Sequence, residues 1–252
     1  MRTIPLVTLI MAFLVGCGAS EQESEVTIIP VPSDKKSVEP AVARLLQATG
    51  NDVHLAMDDP MKWMRHGSAL FANSYYQEAA SSFREAITIN PQMPQATYLL
   101  ATALWKENKQ EEAIQYLQVA LELIPDYDMG WRLLAEWQLE RGETTRAEES
   151  ARIAFELNSN RIGTRYILAL SMMDSGRYDD ALPILEEAMN NNTAPRWIYT
   201  LASQCYRHQG ILDKSEQASE NSGPPLADWP DPMFQHIPNL IMGKSELALY
   251  AL

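Results

Sequence analysis

Apolar residues recur at three- and four-residue spacing through most of the region from residue 60 to residue 221. This is the period of an amphipathic helix, in which one stripe of side chains faces the core. Two such stretches, Gln95 to Glu107 and Glu111 to Leu123, are joined by a short turn. The pattern predicts an all-α body made of paired helices.

The helical pattern repeats every 34 residues, which is the sign of a repeat protein. Two series of alanines carry this period: Ala79, Ala113, Ala147 and Ala181, and Ala86, Ala120, Ala154 and Ala188. Pro91 and Pro125 keep the same spacing, as do Gly142, Gly176 and Gly210 at a turn. Small residues at fixed places let two helices approach closely, and a large neighbour fills the remaining gap. Each proline ends the second helix of a unit.

This pattern resembles the tetratricopeptide repeat. The first unit shows the motif residues of that family in order: Trp63, Gly67, Leu70, Ala79, Phe83, Ala86 and Pro91. Five units follow one another: 60–93, 94–127, 128–161, 162–195 and 196–221. The third unit has Ala151 in place of the large residue, and the fifth has Ser215 and Ser219 where alanine and phenylalanine belong. His66 stands where leucine is usual. The resemblance implies a right-handed α-solenoid of about five helix-turn-helix repeats.

In the tetratricopeptide family the first helix of each pair lines a concave face, where members of the family usually bind a peptide. By this resemblance the partner-binding groove is expected to contain Met64, Arg65, Phe71, Tyr98, Trp105, Arg132, Tyr166, Met173, Trp197 and Arg207. Aromatic residues and arginine are typical binding anchors, and methionine adapts to the shape of a partner. Several of these side chains could instead pack against their own neighbours. Met64 and Ser68 replace the lysine and asparagine of carboxylate-clamp members, so that function is disfavoured.

The first 16 residues have the architecture of a secretory signal, with Arg2 before an apolar run from Ile4 to Val15. The run is too short to favour a retained transmembrane helix. Leu14 to Cys17 resembles a bacterial lipobox, which implies cleavage before Cys17 and acylation of that residue. The alternative is an ordinary cleaved signal with an incidental cysteine. Gly18 stands where an aspartate would, by the same resemblance, retain a lipoprotein at the inner membrane, so an outer-membrane position facing the periplasm is expected.

Residues 17–37 are polar and acidic and predict a flexible, lipidated tether. Residues 38–59 predict an N-terminal helical segment that begins near Ser37 and Pro40 and ends near Gly50. At the other end, residues 222–252 form a Pro-rich tail with a predicted terminal helix. Trp229 and Phe234 make the tail too apolar for a free linker. It either covers the last repeat or occupies the groove in competition with a partner.

Composition excludes several functions. The net charge of -13 is the wrong sign for a protein that binds phosphate backbones, so no nucleic-acid partner is expected. The four histidines form no metalloprotease or haem motif, and no Gly-rich phosphate loop or nucleophile elbow is present. Cys205 and His208 could supply two metal ligands, but a buried cysteine is the plainer interpretation. The chain is therefore expected not to be an enzyme and to need no cofactor and no metal.

Together these features predict a lipid-anchored, non-enzymatic scaffold that binds a protein or peptide in its groove during assembly of cell-envelope complexes. An alternative is a recognition subunit for a separate periplasmic enzyme or cytochrome system. It depends on a short resemblance of Pro230-Asp231-Pro232 to the segment that follows the repeats in bacterial tetratricopeptide proteins linked to periplasmic cytochromes.

Overall fold

A computed structural model describes residues 28–32, 38–190 and 194–223. These residues form eleven α-helices and no strand: α1 (Pro40–Leu55), α2 (Pro60–Ala72), α3 (Tyr76–Ile89), α4 (Pro94–Lys106), α5 (Gln110–Leu123), α6 (Asp128–Glu140), α7 (Thr144–Leu157), α8 (Ile162–Asp174), α9 (Tyr178–Met189), α10 (Arg196–His208) and α11 (Leu212–Glu220). The predicted signal, Cys17, the junction at 191–193 and the tail from residue 224 lie outside the described residues. None of the described helices is long and apolar enough to span a bilayer.

Helices α2 to α11 form five antiparallel pairs, and each pair packs against the next. The prediction of an all-α solenoid of five helix pairs is confirmed. The predicted helices of the second unit agree with α4 and α5 to within one residue at each end. The fifth pair forms although its motif residues are lost. The hydroxyl of Ser203 lies 2.7 Å from that of Ser219, so hydrogen bonds join α10 and α11 where other pairs use apolar contacts.

Within a pair the two helices touch where the motif places its small residues. A Cβ added to Gly67 in α2 would lie only 2.7 Å from Cε1 of Phe83 in α3. Ala79 and Ala86, on either side of Phe83, are fully buried. Gly67 and the buried alanines therefore let the two helices of a pair approach closely around Phe83.

The turn inside every pair contains one residue in the left-handed conformation. Its φ is 65° at Ser74, 60° at Asn108, 73° at Gly142, 75° at Gly176 and 75° at Gly210. These five positions are 34 residues apart, so the glycine series seen in the sequence extends to two residues that are not glycine. Left-handed backbone costs an L-residue other than glycine about 1–2 kcal/mol, and asparagine tolerates it better than serine.

The same pattern of backbone hydrogen bonds caps the carboxy-terminal end of the first helix in every pair. After α2 the N–H of Tyr75 donates to the carbonyl oxygen of Leu70, and the N–H of Ser74 donates to that of Phe71, each at 3.0 Å. Equivalent pairs of bonds follow α4, α6, α8 and α10. This is a Schellman motif, which satisfies the last carbonyl groups of a helix and requires the left-handed residue.

Helix α1 continues five residues beyond Gly50, where the sequence predicted its end. The prediction was wrong because Val53, one turn later, extends the apolar stripe and is fully buried. Burying such a side chain gains about 1.5–3 kcal/mol, more than the roughly 1 kcal/mol that a glycine costs inside a helix. An added Cβ at Gly50 would lie 3.6 Å from Cε1 of His66, an ordinary van der Waals distance, so packing does not require glycine at this position.

His66 joins the N-terminal segment to the first repeat. Its ring is fully buried, with Nε2–H donating to the carbonyl oxygen of Pro30 at 2.8 Å and Nδ1 lying 2.8 Å from the hydroxyl of Thr49. A carbonyl only accepts, so the neutral ring carries its proton on Nε2 and Nδ1 accepts from Thr49. Burial lowers the pKa of His66, and the bond to Pro30 opposes this in part. Residues 28–32, inside the predicted tether, therefore lie against α1 and α2.

Helix α6 contributes to two separate apolar cores. Leu134 and Trp137 belong to the core that begins at α1, whereas Ala135 belongs to the core that continues to α11. The small Ala151 of α7 belongs to the second of these cores. A hydrogen bond joins α6 and α7, in which the Ser150 hydroxyl donates to Oε1 of Gln138 at 2.8 Å. The third pair therefore combines apolar contacts to both cores with a buried hydrogen bond between its own helices.

We expect Ser74→Gly to stabilise the protein by about 0.5–1 kcal/mol, because relief of the left-handed strain exceeds the entropy cost of glycine. The hydroxyl of Ser74 accepts only a long 3.4 Å bond from Tyr76, so little else is lost. Gly142→Ala, in the same turn of the third pair, should destabilise by about 1 kcal/mol. Urea denaturation measures both. A loss of stability in Ser74→Gly would contradict the strain argument.

The pKa of His66 predicts a pH-dependent stability. A folded-state pKa below the ordinary value means that this group stabilises the fold above about pH 6.5, and that this contribution is lost as the pH falls. The thermal midpoint should therefore fall between pH 7.5 and pH 5, and His66→Leu should weaken this dependence. His54→Gln, at an exposed residue of α1, is the matched control and should retain the wild-type profile. Identical profiles for wild type and His66→Leu would refute the assignment.

Candidate functional site

The first helices of the pairs lie side by side on one face of the array. Helices α2 and α4 contact each other directly, as do α6 and α8 and also α8 and α10. The second helices pack mainly against first helices, both in their own pair and in the following one. The first helices are thus the more closely spaced layer, and the array curves around them. We call their exposed side the groove.

Two rows of residues, each with the 34-residue spacing, cross the groove. The first row is Met64, Tyr98, Arg132, Tyr166 and Thr200, and the second row is Phe71, Trp105, Leu139, Met173 and Arg207. The rows differ in exposure. In the first row Tyr98 is 0% exposed and Arg132 is 3% exposed. In the second row Phe71, Trp105 and Leu139 are half-buried and Arg207 is exposed. The second row is therefore the more accessible one.

The structure places the predicted groove residues on the face of the first helices, with different exposures, except for Arg65. That side chain instead pairs with Asp52 of α1 at 3.5 Å, and Leu99, its equivalent in the next repeat, is buried in the core. Met64, Tyr98, Arg132, Met173 and Trp197 are buried; Phe71, Trp105 and Tyr166 are half-buried; Arg65 and Arg207 are exposed. The buried side chains form the floor of the groove, and the others are available for contact. Ser68, where clamp members have asparagine, donates its hydroxyl to the carbonyl oxygen of Met64 at 2.8 Å.

Aromatic contacts hold the accessible rings in place. Trp105 stacks on Trp137 of the next pair, with ring centres 4.4 Å apart and planes 3° apart. Tyr166 meets Trp197 edge to face at 5.0 Å. Each contact joins one repeat to the next. Trp137 does not belong to the predicted site. The motif does not assign its position in the repeat to the groove. Only the structure therefore shows that Trp137 supports Trp105.

Charged groups occupy the middle of the groove. Nη1 of the buried Arg132 donates to Oε2 of Glu136 at 2.9 Å. Loss of hydration raises the pKa of Glu140, and the neighbouring charge of Glu136 raises it further, whereas Lys106 lowers it. Loss of hydration and the charge of Glu136 also raise the pKa of Tyr166. Glu136 thus connects the polar groups of the third and fourth pairs.

Cys205 and His208 lie one turn apart on α10 but have different surroundings. Cys205 is fully buried, and burial together with the charge of Asp179 raises its pKa to about 11, which makes the thiol a poor nucleophile. The ring of His208 stacks on Tyr178 at 4.2 Å. Nowhere in 28–32, 38–190 and 194–223 do three or more His, Cys, Asp or Glu side chains gather closely enough to hold a metal ion.

A second concave feature lies between the N-terminal segment and α1. It is a cavity of about 470 Å³ whose wall includes Ile29, Val31, Leu46 and His54. Its lining is largely apolar and includes no ion pair described in this structure. The groove, which carries both apolar rings and charged groups along several repeats, is the better candidate for a functional site.

Comparison with known proteins agrees with this architecture. Residues 64–128 match the family model of the tetratricopeptide repeat. No curated protein sequence matches the chain. Among solved structures, YrrB, described as a TPR protein with an unusual peptide-binding site, is 15% identical and superposes with a TM-score of 0.61 over 70% of this chain and 91% of its own. The crystal structure of MamA is 15% identical, with a TM-score of 0.60 over 77% of this chain and 96% of its own.

A third similar structure is the APC/C hetero-tetramer Cut9–Hcn1, at 16% identity and a TM-score of 0.54 over 71% of this chain and 36% of that one. Identities this low establish the fold and not a shared function. Residues 64–128 carry the tetratricopeptide repeat, and the fold of the described chain is a tetratricopeptide-repeat solenoid.

Proposed function

We propose that the protein is a scaffold that captures a helix or an extended peptide of a partner protein in the groove. The observation that carries this proposal is the set of half-buried aromatic rings, Phe71, Trp105 and Tyr166, on one continuous face. A large ring that is held in place by neighbours but still accessible loses little conformational freedom on binding. Such rings are the usual energetic centres of protein interfaces.

The charges of the groove add orientation to this apolar surface. Glu136 and Arg132 form a pair in its middle, Glu140 and Lys106 lie nearby, and Arg207 is exposed at the last repeat. Polar groups at the rim of an apolar surface contribute more to specificity and to the rate of association than to affinity. A partner segment with apolar anchors and both signs of charge fits this arrangement.

The structural relatives are consistent with binding of proteins or peptides. YrrB is described as having a peptide-binding site, and Cut9 was solved as part of a hetero-tetramer with Hcn1. Tetratricopeptide proteins in general act as non-catalytic interaction scaffolds, and in this chain burial raises the pKa of the Cys205 thiol.

We further propose that the solenoid is held at a membrane by acyl chains on Cys17 and serves the assembly of cell-envelope complexes, with an outer-membrane position facing the periplasm. The support for this is the sequence Leu14-Val15-Gly16-Cys17 after an apolar run. More than one acyl chain gives stable anchoring, since each buried methylene contributes about 0.8 kcal/mol. Partners would be identified by crosslinking in native envelopes followed by mass spectrometry.

Replacing Trp105 and Tyr166 together by alanine should weaken capture of the crosslinked partner at least about tenfold, because aromatic hot spots contribute about 2 kcal/mol or more each. Helicity, followed by circular dichroism, should be retained. Titration of the purified partner measures the change.

A matched control removes two half-buried aromatic residues from second helices, Tyr116 in α5 and Phe155 in α7. Tyr116→Ala with Phe155→Ala should destabilise the fold to a similar extent and leave capture unchanged. Equal loss of capture in both double variants would mean that stability, and not the groove, explains the effect.

Cys17→Ala should abolish labelling of the protein with a radioactive or clickable fatty acid and should release it from membranes. Cys205→Ala is the matched control, because its thiol is buried and should not be acylated. Continued labelling of the Cys17→Ala protein would refute the lipid anchor. It would leave the groove proposal unaffected, since that rests on the described residues.

A further inference from the structure

The described chain ends beside the groove. The carbonyl oxygen of Gly223 accepts a hydrogen bond from the hydroxyl of Thr200 at 2.8 Å, and the N–H of Gly223 lies 3.2 Å from the same hydroxyl oxygen. Nε of Arg196 donates to the carbonyl oxygen of Ser222 at 2.9 Å. Thr200 is the fifth member of the first row. The segment that follows residue 223 therefore starts at the last repeat, on the groove side of α10.

This exit point is fixed by packing as well as by hydrogen bonds. A Cβ on Gly223 would lie only 2.9 Å from Cβ of Arg196, so the backbone passes α10 at the closest distance that a glycine permits. The exposed apolar residues of the last pair, Ile211 and Leu212, are at the turn between α10 and α11. Because α10 is about 20 Å long, they lie far from the exit. At the near end Trp197 and Ile198 are already buried.

The remaining segment, residues 224–252, is long enough to cross every repeat. About thirty residues at roughly 3.1 Å each span some 90 Å in the extended form that proline favours. Five first helices at 8–10 Å spacing occupy about 40 Å from α10 to α2. Reach therefore does not limit which part of the groove the segment contacts.

The composition of this segment complements the groove near its exit. Trp229, Met233 and Phe234 supply apolar anchors, and two carboxylates, Asp228 and Asp231, lie next to them in sequence. Arg207 is exposed in the second row, about 10 Å along α10 from Thr200. Asp228 is five residues after Gly223 and so lies within about 16 Å of it. A carboxylate of the segment can therefore reach the one exposed arginine of the second row.

We propose that the groove over α8 and α10 is the binding site of the chain's own segment 224–234. The aromatic residues of that segment lie against Tyr166 and Leu170, and its carboxylates lie at Arg207. This inference rests on the groove of the proposed function and names its resident ligand. A partner protein has to displace the segment. The observed free energy of partner binding is therefore the difference between the binding free energies of the partner and of the segment.

Photocrosslinking within the full-length chain tests the contact. Phe234 is replaced by benzoylphenylalanine in a Cys17→Ser protein, so that the ring is kept and the acyl anchor is removed. After irradiation, mass spectrometry should find crosslinks to α8 and α10 between residues 166–173 and 200–207. Crosslinks only to α11 would show that the segment covers the end of the array, and a crosslinked dimer would show that it binds a second copy. Either result, or no crosslink, overturns the proposal.

Charge reversal tests the role of Arg207. Arg207→Glu should lower the yield of groove crosslinks about threefold, which is the scale of an exposed ion pair, and adding Asp228→Arg with Asp231→Arg should restore it. Arg44→Glu, at an exposed residue of α1, is the matched control and should change nothing. An unchanged yield in Arg207→Glu, or no recovery on charge exchange, contradicts the assigned contact.

The proposal and the proposed function fail in different ways. If the segment occupies the groove, Asp228→Arg with Asp231→Arg should increase partner capture, because it weakens the segment's contact and leaves the groove residues unchanged, whereas Trp105→Ala with Tyr166→Ala should decrease capture. Capture that needs the aromatic residues but is unaffected by Asp228→Arg with Asp231→Arg would overturn the resident segment and leave the scaffold proposal standing. If groove crosslinks form but partner capture is unchanged by Trp105→Ala with Tyr166→Ala, the resident segment is supported and the scaffold proposal is refuted.

Discussion

The close approach of the two helices in each pair is the constraint from which the other features follow. Gly67 meets the ring of Phe83 with no room for a methyl group, and fully buried alanines occupy the motif positions of the later pairs. At such a distance the first helix has to end sharply so that the chain can reverse, which explains the left-handed residue and the Schellman bonds at every turn. Repetition of this geometry places the first helices side by side, and so produces the groove.

The sequence predicts this framework well because its determinants are local. The alanine series, the glycines at the turns and the helical period each constrain a few neighbouring residues, and the predicted ends of α4 and α5 agree with the structure to within one residue. Ser74 and Asn108 occupy the same left-handed position as the glycines, and of these two residue types only asparagine is favoured in that conformation. The end of α1 was also misjudged, because the burial of Val53 outweighs the cost of Gly50.

The site is less predictable, since exposure in a groove depends on helix rotation and on neighbours far away in sequence. The motif assigns Tyr98 and Trp105 to the same face with equal weight, yet only the ring of Trp105 is accessible. The stack of Trp137 on Trp105 and the bonds between Gly223 and Thr200 cross from one structural unit to another. Sequence periodicity describes positions within a repeat, and it carries no information about such contacts.

Helix α6 belongs to both apolar cores, through Leu134 and Trp137 on one side and Ala135 on the other. In a linear array each repeat is stabilised mainly by its nearest neighbours, so cooperativity between the two ends has to pass through this helix. The hydrogen bond between Ser150 and Gln138 lies beside this passage. We therefore expect a ligand that spans Trp105 and Tyr166 to strengthen the coupling between the amino-terminal and carboxy-terminal halves in local unfolding.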